Sequence, residues 1–236
     1  MSEMGTVAEG SGALSRREFV ALAGAAAVTA LALGTVPGCA AHDDGETGDV
    51  ETPSTSYGGA SEMGQRVLVG YATRTGSTVD VAQAIGEELG KRGIAVDVKP
   101  LKERPSLDGY DAIVLGSAVN GGVWLPEAVS FVESNRSALS AVPMAAFCVH
   151  IMNLGDDEKA RSRRQNYLKA VRALVTPVAE GFFAGVGPTR EDSSLIMRWA
   201  FRAFGGGGEG DCRDWDAIRA WGATVELGSV TADSAL

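Results

Sequence analysis

The sequence has few of the residues from which proteins build metal centres and thiol redox sites. Its 236 residues include three cysteines, Cys39, Cys148 and Cys212, and two histidines. No two cysteines have the Cys-x-x-Cys spacing of a redox pair or a metal-binding loop. Two histidines also give little support to a histidine-based metal site. The sequence therefore predicts no metal site, and any redox chemistry would have to come from a bound organic cofactor.

Positive charge is also scarce. The chain has 21 Lys and Arg against 30 Asp and Glu, which gives a formal net charge of -9. A protein this acidic does not hold nucleic acid or anionic lipid through bulk charge, so we expect no nucleic-acid partner. Hydrophobic residues make up 45% of the chain and charged residues 22%, and these proportions are typical of a globular protein.

Long apolar runs are rare as well, and the longest lies near the N-terminus. Ser15-Arg16-Arg17-Glu18-Phe19 precedes the Ala- and Gly-rich residues 21–38. Two arginines followed by an apolar segment are typical of an export signal. The arrangement resembles the twin-arginine signal, whose pathway carries proteins that are already folded. The alternative is a transmembrane anchor, because about 18 uncharged residues are near the lower limit for spanning a bilayer.

The apolar run ends at Val36-Pro37-Gly38-Cys39-Ala40, which resembles a bacterial lipobox. In that motif the cysteine is lipidated and becomes the first mature residue, although Pro37 departs from the usual small residue. Lipidation of Cys39 would anchor the protein at the outer face of the cytoplasmic membrane. The alternative is a cleaved signal in which the cysteine is incidental. We expect residues 1–39 to be a twin-arginine-type signal with a lipobox-like end.

The remainder of the chain divides into a tether, a domain and a tail. Residues 40–64 are acidic, rich in Gly, Ser and Thr, and without an apolar period, which predicts a disordered linker. Residues 65–228 are predicted to form the folded domain. Residues 229–236 are expected to be a frayed tail.

Five apolar segments of the domain predict β-strands that alternate with helices. The strands are expected at 66–72, 94–99, 111–117, 142–151 and 181–186, and the helices at 77–92, 127–135, 155–175, 192–204 and 214–227. This alternation implies βαβ units and an α/β fold. We predict a doubly wound five-stranded parallel sheet of order 2-1-3-4-5, with helices on both faces. Ligands of such sheets bind at the carboxyl ends of strands one and three, where the winding reverses.

The turn after the first strand carries the strongest binding signal. Thr73-Arg74-Thr75-Gly76-Ser77-Thr78 brings four hydroxyls and one glycine to the start of a helix. A helix N-terminus presents free N–H groups and a favourable dipole to an anion, and hydroxyls add further donors. These residues are predicted to hold a phosphate. The alternative is an ordinary turn whose Ser and Thr side chains cap the helix.

Several motifs together resemble one family. The spacing Thr-x-Thr-Gly-x-Thr is similar to the FMN-phosphate loop of flavodoxins, and Ser117-Ala118-Val119-Asn120-Gly121-Gly122 is similar to their second flavin loop. Pro143 to Phe147 and Asp214-Trp215 resemble the flavodoxin-domain branch that includes menaquinone-dependent protoporphyrinogen IX oxidase. The similarity runs from Val67 to Trp221 and implies a flavodoxin-like fold.

The resemblance also implies a cofactor and its contacts. It implies noncovalent FMN, with residues 73–78 around the phosphate and Ser117 to Trp124 along one edge of the isoalloxazine ring. The end of the fourth strand, with His150 and Asn153, would lie along the other edge. Trp124 is either a stacking partner of the flavin or a core residue. His150 is more often a hydrogen-bonded strand-end histidine than a proton donor, and no catalytic residue is assigned.

The sequence thus predicts an exported, membrane-anchored FMN protein that transfers electrons, with a redox partner protein or a membrane quinone as its partner. One alternative is an enzyme like menaquinone-dependent protoporphyrinogen IX oxidase. The export signal weighs against that enzyme, because haem precursors are made inside the cell. Another alternative is a non-redox module that keeps the fold and binds no flavin. Whether an oxidoreductase activity on a specific substrate accompanies electron transfer is left open.

Overall fold

The computed structural model describes residues 50–59, 64–188 and 210–228. The predicted signal with Cys39, most of the predicted linker, the predicted helix at 192–204 and the predicted tail lie outside these residues. Within the described residues, no helix combines the length and the apolar character needed to cross a membrane.

The described residues contain seven strands and six α-helices. The strands are β1 (Thr55–Tyr57), β2 (Arg66–Ala72), β3 (Ala95–Pro100), β4 (Ala112–Asn120), β5 (Val123–Trp124), β6 (Met144–His150) and β7 (Ala179–Ala184). The helices are α1 (Ser77–Lys91), α2 (Pro126–Ser134), α3 (Arg136–Ala141), α4 (Glu158–Gln165), α5 (Lys169–Leu174) and α6 (Trp215–Thr224). Two short 3-10 helices are Leu101–Glu103 and Asn166–Leu168.

Five of the strands form the predicted doubly wound sheet. Their order is β3-β2-β4-β6-β7, and each neighbouring pair is parallel. Strand β6 is buried along its whole length, and β2 is buried after its first residue. This burial on both faces is typical of parallel strands covered by helices. The α/β flavodoxin-like fold class and the strand order 2-1-3-4-5 are confirmed.

Apolar side chains fill both faces of this sheet. Because successive strand residues point to opposite faces, Val69 and Leu68 of β2 belong to different cores. Val69 packs with Ile85 of α1 on one face. Leu68 belongs to the core on the other face, which also contains Val132 of α2 and Val171 of α5. Helices therefore cover both faces of the sheet, and the ends of the strands are where polar binding residues can be placed.

Strand β4 runs three residues beyond its predicted end at Ser117. Val119 and Asn120 pair antiparallel with Trp124 and Val123 of β5. The tight turn between them is Gly121-Gly122, with φ angles of 61° and 83°, which glycine adopts readily. The segment expected to be a glycine-rich loop is therefore a short hairpin.

The helix predicted over 155–175 begins later and is interrupted. Helix α4 starts after Asp157, whose Oδ1 accepts the N–H of Ala160 at 3.0 Å, a normal N-cap. Ala160 is the one buried residue of α4. The 3-10 turn Asn166–Leu168 follows, and Tyr167 and Leu168 are buried in the core.

Strand β1 lies within the segment expected to be a disordered linker, and the linker prediction is corrected there. Thr55 to Tyr57 pair antiparallel with β3. The Tyr57 ring lies against α1 where two glycines leave room: a Cβ at Gly86 would be 3.2 Å from ring carbons, and one at Gly90 would be 2.9 Å from the Tyr57 Cβ. Three residues are too few to show a strand pattern in the sequence.

Candidate functional site

A cavity of about 540 Å³ opens at the carboxyl edge of the sheet, where β2 and β4 meet and the winding reverses. This volume is within the range usual for small-molecule sites. The turn after β2 and the ends of β4, β6 and β7 form its walls. The lining residues are Arg74, Thr75, Ser77, Ala118, Val119, Asn120, Leu125, Val149, His150, Ile151, Gly185, Val186, Gly187 and Pro188.

The turn between β2 and α1 has the geometry of an anion cradle. Thr73 Oγ1 accepts the N–H of Gly76 at 3.0 Å, and Gly76 adopts a φ of 92° that favours glycine. Ser77 and Thr78 begin α1, so their N–H groups have no acceptor within the helix. The Thr78 hydroxyl is fully buried and has no hydrogen-bond partner. Leaving such a group unpaired costs about 1–3 kcal/mol. Thr75 and Ser77 of the turn line the cavity, whereas Thr73, Gly76 and Thr78 do not.

The second predicted loop contributes only part of its residues to the cavity. Ala118, Val119 and Asn120 line it. The buried Ser117 hydroxyl is used within the protein: it donates to the Ala118 carbonyl oxygen at 2.8 Å and accepts the N–H of Leu125 at 3.0 Å. Ser117 thus ties the end of β4 to the start of α2. Gly121 and Gly122, at the hairpin turn, do not line the cavity.

Trp124 is a core residue, and the stacking role is corrected. Its side chain is 1% exposed, and its indole N–H donates to Cys148 Sγ at 3.1 Å. Pairing of β5 with β4 turns the indole towards the α2 face of the sheet rather than towards the cavity. Burial raises the pKa of the Cys148 thiol to about 12, so this cysteine is an uncharged core residue at neutral pH.

His150, the last residue of β6, forms part of the cavity wall. It is 3% exposed, and its Nδ1 lies 2.8 Å from the carbonyl oxygen of Met152. That contact favours the tautomer with the proton on Nδ1, because a carbonyl only accepts. Nε2 is then a buried acceptor, and it has no partner. Burial lowers the pKa of His150 to about 4, and the nearby Arg164 charge acts in the same direction.

We expect His150 to make the free energy of unfolding fall as the pH is lowered. The folded protein keeps this ring neutral down to about pH 4, whereas in the unfolded chain its pKa is 6.5. Between pH 4 and pH 6.5 the unfolded state therefore binds more protons than the folded state, so the free energy of unfolding rises with pH in this range. Because of His150, the free energy of unfolding is lower near pH 4 than above pH 6.5 by about 3 kcal/mol.

Urea denaturation of the wild type and the His150→Gln variant, at several pH values in that window, measures this effect. The free energy of unfolding of the variant should depend less on pH in this window than that of the wild type. The matched control is His42→Gln, which replaces the other histidine of the chain and should keep the slope. Equal slopes in the wild type and the His150 variant would contradict the prediction.

Asn153 braces the loop after β6 and is not among the residues that line the cavity. Its backbone has a φ of 59°, and its Nδ2 donates to the Tyr167 hydroxyl at 2.7 Å. Arg164 Nη1 donates to its carbonyl oxygen at 2.6 Å. These contacts hold the loop against α4 and the 3-10 turn that follows it.

Sequence reasoning missed the wall that follows β7. Gly185 lies beside the phosphate-type turn: a Cβ there would be 3.3 Å from Ser77 Oγ and 2.9 Å from Val149 Cγ1. Its N–H donates to the His150 carbonyl oxygen at 2.8 Å. The available signal was topological, because the carboxyl end of the fifth strand lies at the same edge of the sheet.

A parallel sheet with a cavity at its reversal point defines the class of doubly wound α/β ligand-binding domains. The sequence matches the flavodoxin domain family over residues 68–190, slightly more than half of the chain. The chain belongs to the flavodoxin domain family.

Individual relatives are more distant. The chain is similar to protoporphyrinogen IX dehydrogenase (quinone) of Escherichia coli (strain K12), with 28% identity over 89 residues, which cover 37% of this chain and 49% of the relative. The protein of the same name from Escherichia coli O157:H7 gives the same values. The chain therefore spans about half the length of the curated relatives it matches.

The solved structures to which the chain is similar include flavodoxins of low identity. A flavodoxin from the domain Archaea has a TM-score of 0.42 and 18% identity, covering 67% of this chain and 94% of that one. Flavodoxin 2 from Bacillus cereus has a TM-score of 0.41 and 19% identity, covering 66% and 94%.

Proposed function

We propose that the protein binds FMN in the cavity at the carboxyl edge of the sheet and uses it to transfer electrons. The observation that carries the proposal is the helix start at the cavity edge, where Thr75 and Ser77 line the cavity and the neighbouring Thr78 hydroxyl is buried without a partner. FMN has a phosphate for that cradle and a planar ring for the adjoining cavity. When bound, it supplies the one- and two-electron chemistry that the side chains lack.

The residues present fit this cofactor. The N–H groups of Ser77 and Thr78 and the hydroxyls of the turn would bind the phosphate through charge-assisted hydrogen bonds. Among the described residues that line the cavity, none carries a carboxylate, and Arg74 carries a positive charge. The smaller cavity at the same turn also has two carboxylates, Glu51 and Asp80, and Asp80 is paired with Arg213 at 2.6 Å. Val119, Val149 and Ile151 offer apolar surface to the ring, and neutral His150 adds no charge.

We further propose that the protein acts outside the cytoplasm. A lipid on Cys39 would hold it at the outer face of the cytoplasmic membrane, with a membrane quinone or a redox protein as its partner. The twin-arginine-like and lipobox-like motifs support this proposal. A noncovalent cofactor loaded in the cytoplasm has to cross the membrane inside a folded protein, and the twin-arginine pathway allows that.

Protein purified from its own membrane tests the proposal directly. We expect visible flavin absorption bands, release of FMN on denaturation, and an acyl-modified Cys39 in the N-terminal peptide. A Cys39→Ser variant should leave the membrane fraction yet keep its FMN. Colourless protein that gains no flavin band on addition of FMN would contradict the cofactor and favour the non-redox module.

A second candidate is oxidation of protoporphyrinogen with a quinone acceptor. The similarity to the two relatives of that name favours it, although the match covers only half of their length. The holoprotein should then oxidise protoporphyrinogen when menaquinone is present. A holoprotein that reacts with quinone but not with protoporphyrinogen would leave electron transfer as its function.

A further inference from the structure

The N-terminal strap, which we define as residues 50–57, leads from the outer edge of the sheet to the cavity edge. Its strand β1 is antiparallel to β3, with Thr55 opposite Val98 and Tyr57 opposite Val96. Followed towards the N-terminus, the strap therefore runs towards the carboxyl end of β3. There Pro100 pairs with Tyr71 of β2, directly before the phosphate-type turn.

Two contacts hold the start of the strap beside that turn. The Tyr71 hydroxyl donates to the carbonyl oxygen of Pro53 at 2.8 Å. Tyr71 is 1% exposed, and burial raises its pKa to about 12, so this donor keeps its proton at physiological pH. At Gly76, a Cβ would lie 3.6 Å from Val50 Cγ1. Glu51 and Pro53 also share a smaller cavity with the residues of the turn.

The far end of the strap is seated just as specifically. The Tyr57 ring occupies the space left by Gly86 and Gly90 of α1. The Ser56 hydroxyl donates to Asp97 Oδ1 at 2.6 Å. Asp97 is also held by Arg66 Nη2 and by the Tyr110 hydroxyl, each at 2.7 Å. The strap is therefore a fixed part of the domain, not the last stretch of a free linker.

We infer that the strap fixes the point at which the membrane tether leaves the domain, so that the cofactor edge of the sheet faces the lipid. The partner this orientation fits is a quinone dissolved in the bilayer. The inference rests on the proposed function, because it requires FMN in the cavity and a lipid on Cys39.

Distances decide the orientation. Ten residues separate Cys39 from Val50, so the distance between these two residues is at most about 35 Å. A domain of this size is about 40 Å across. With the tether leaving at the cavity edge, the cavity is within reach of the headgroups and the opposite edge is not. Bulk charge cannot supply this orientation, because the protein has a net charge of -9 and anionic lipid repels it.

Two insertions of the same flexible spacer test the strap. A Gly/Ser spacer of about 20 residues before Val50 lengthens the tether, and effective concentration falls roughly as the −3/2 power of length, about fivefold here. The matched control places the same spacer after Gly59, behind the strap, where it lengthens only the connection to β2. The lipidated holoprotein is placed on neutral phospholipid vesicles that contain a bilayer quinone, and the rate of flavin reoxidation is measured. The result is the ratio of this rate to the rate with a water-soluble short-chain quinone.

The inference expects the first insertion to lower this ratio about fivefold and the second to leave it unchanged. Adding Tyr57→Ser and Tyr71→Phe, which release both ends of the strap, should make the second insertion behave like the first. Equal effects of the two insertions in the otherwise unaltered chain would overturn the role of the strap. No reaction with the bilayer quinone would overturn the partner. Loss of FMN or of Cys39 acylation is detected beforehand and counts against the proposed function instead.

Discussion

We expect the double variant Thr75→Ala, Thr78→Ala to lose FMN while its apoprotein stays folded. A hydrogen bond to a charged group contributes about 1.5–3 kcal/mol, so removing two from a phosphate should weaken FMN binding by roughly 10²- to 10⁴-fold. The Thr78 hydroxyl has no partner within the protein, so its removal takes no hydrogen bond from the apoprotein. Fluorescence titration with FMN measures the loss, and thermal unfolding without FMN measures apoprotein stability.

The matched control for this variant is Thr75→Ser, Thr78→Ser, which keeps both hydroxyls and should bind FMN within about tenfold of the wild type. A second control, Thr224→Ala, removes a hydroxyl that only bonds within α6 and should leave FMN affinity unchanged. If the alanine variant kept wild-type affinity, the turn would not hold the phosphate. A large loss of apoprotein stability would instead indicate a structural role for the two threonines.

The parts of the fold that could be predicted from sequence are those whose cause is local. Residues 67–72 carry no charged side chain, because β2 is buried on both faces after Arg66, and this pattern gave the bounds of the strand correctly. The phosphate-type turn is equally local, since it needs only hydroxyls and one glycine between a strand and a helix. Alternation of such units then predicts parallel strands joined by right-handed crossovers.

The parts that could not be predicted depend on contacts distant in sequence. Tyr57 is seated by Gly86 and Gly90, about thirty residues away, and nothing near Tyr57 indicates a strand. Trp124 follows the second flavin loop closely in sequence. In a hairpin, however, a shift of one residue moves a side chain to the other face of the sheet, and proximity in sequence cannot decide the face. The wall at Gly185 likewise arises only when β7 is placed beside β6.

The second large effect is expected at Gly116, in the middle of β4. Gly116 pairs with Phe147 of β6, and a Cβ at Gly116 would lie 1.9 Å from the tip of the Phe147 ring. That ring is fully buried and packs against Phe183 and Trp221, at centroid distances of 6.2 Å and 6.3 Å, so it has little room to move. We expect Gly116→Ala to lower the free energy of unfolding by about 3 kcal/mol, the upper end for overpacking a core.

A double-mutant cycle separates this clash from the general effect of replacing a strand glycine. In a Phe147→Leu background the ring is gone, so Gly116→Ala should cost less than about 1 kcal/mol, and the coupling between the two sites should exceed about 2 kcal/mol. The matched control is Gly155→Ala, whose Cβ would meet first the end of the Asp157 side chain, and it should change stability by less than about 0.5 kcal/mol. Urea denaturation measures all four variants. Additive effects would mean that the Phe147 ring does not cover Gly116. The β4–β6 register would then be wrong, and with it the placement of Ala118 and Val149, the pair that this register sets side by side in the cavity wall.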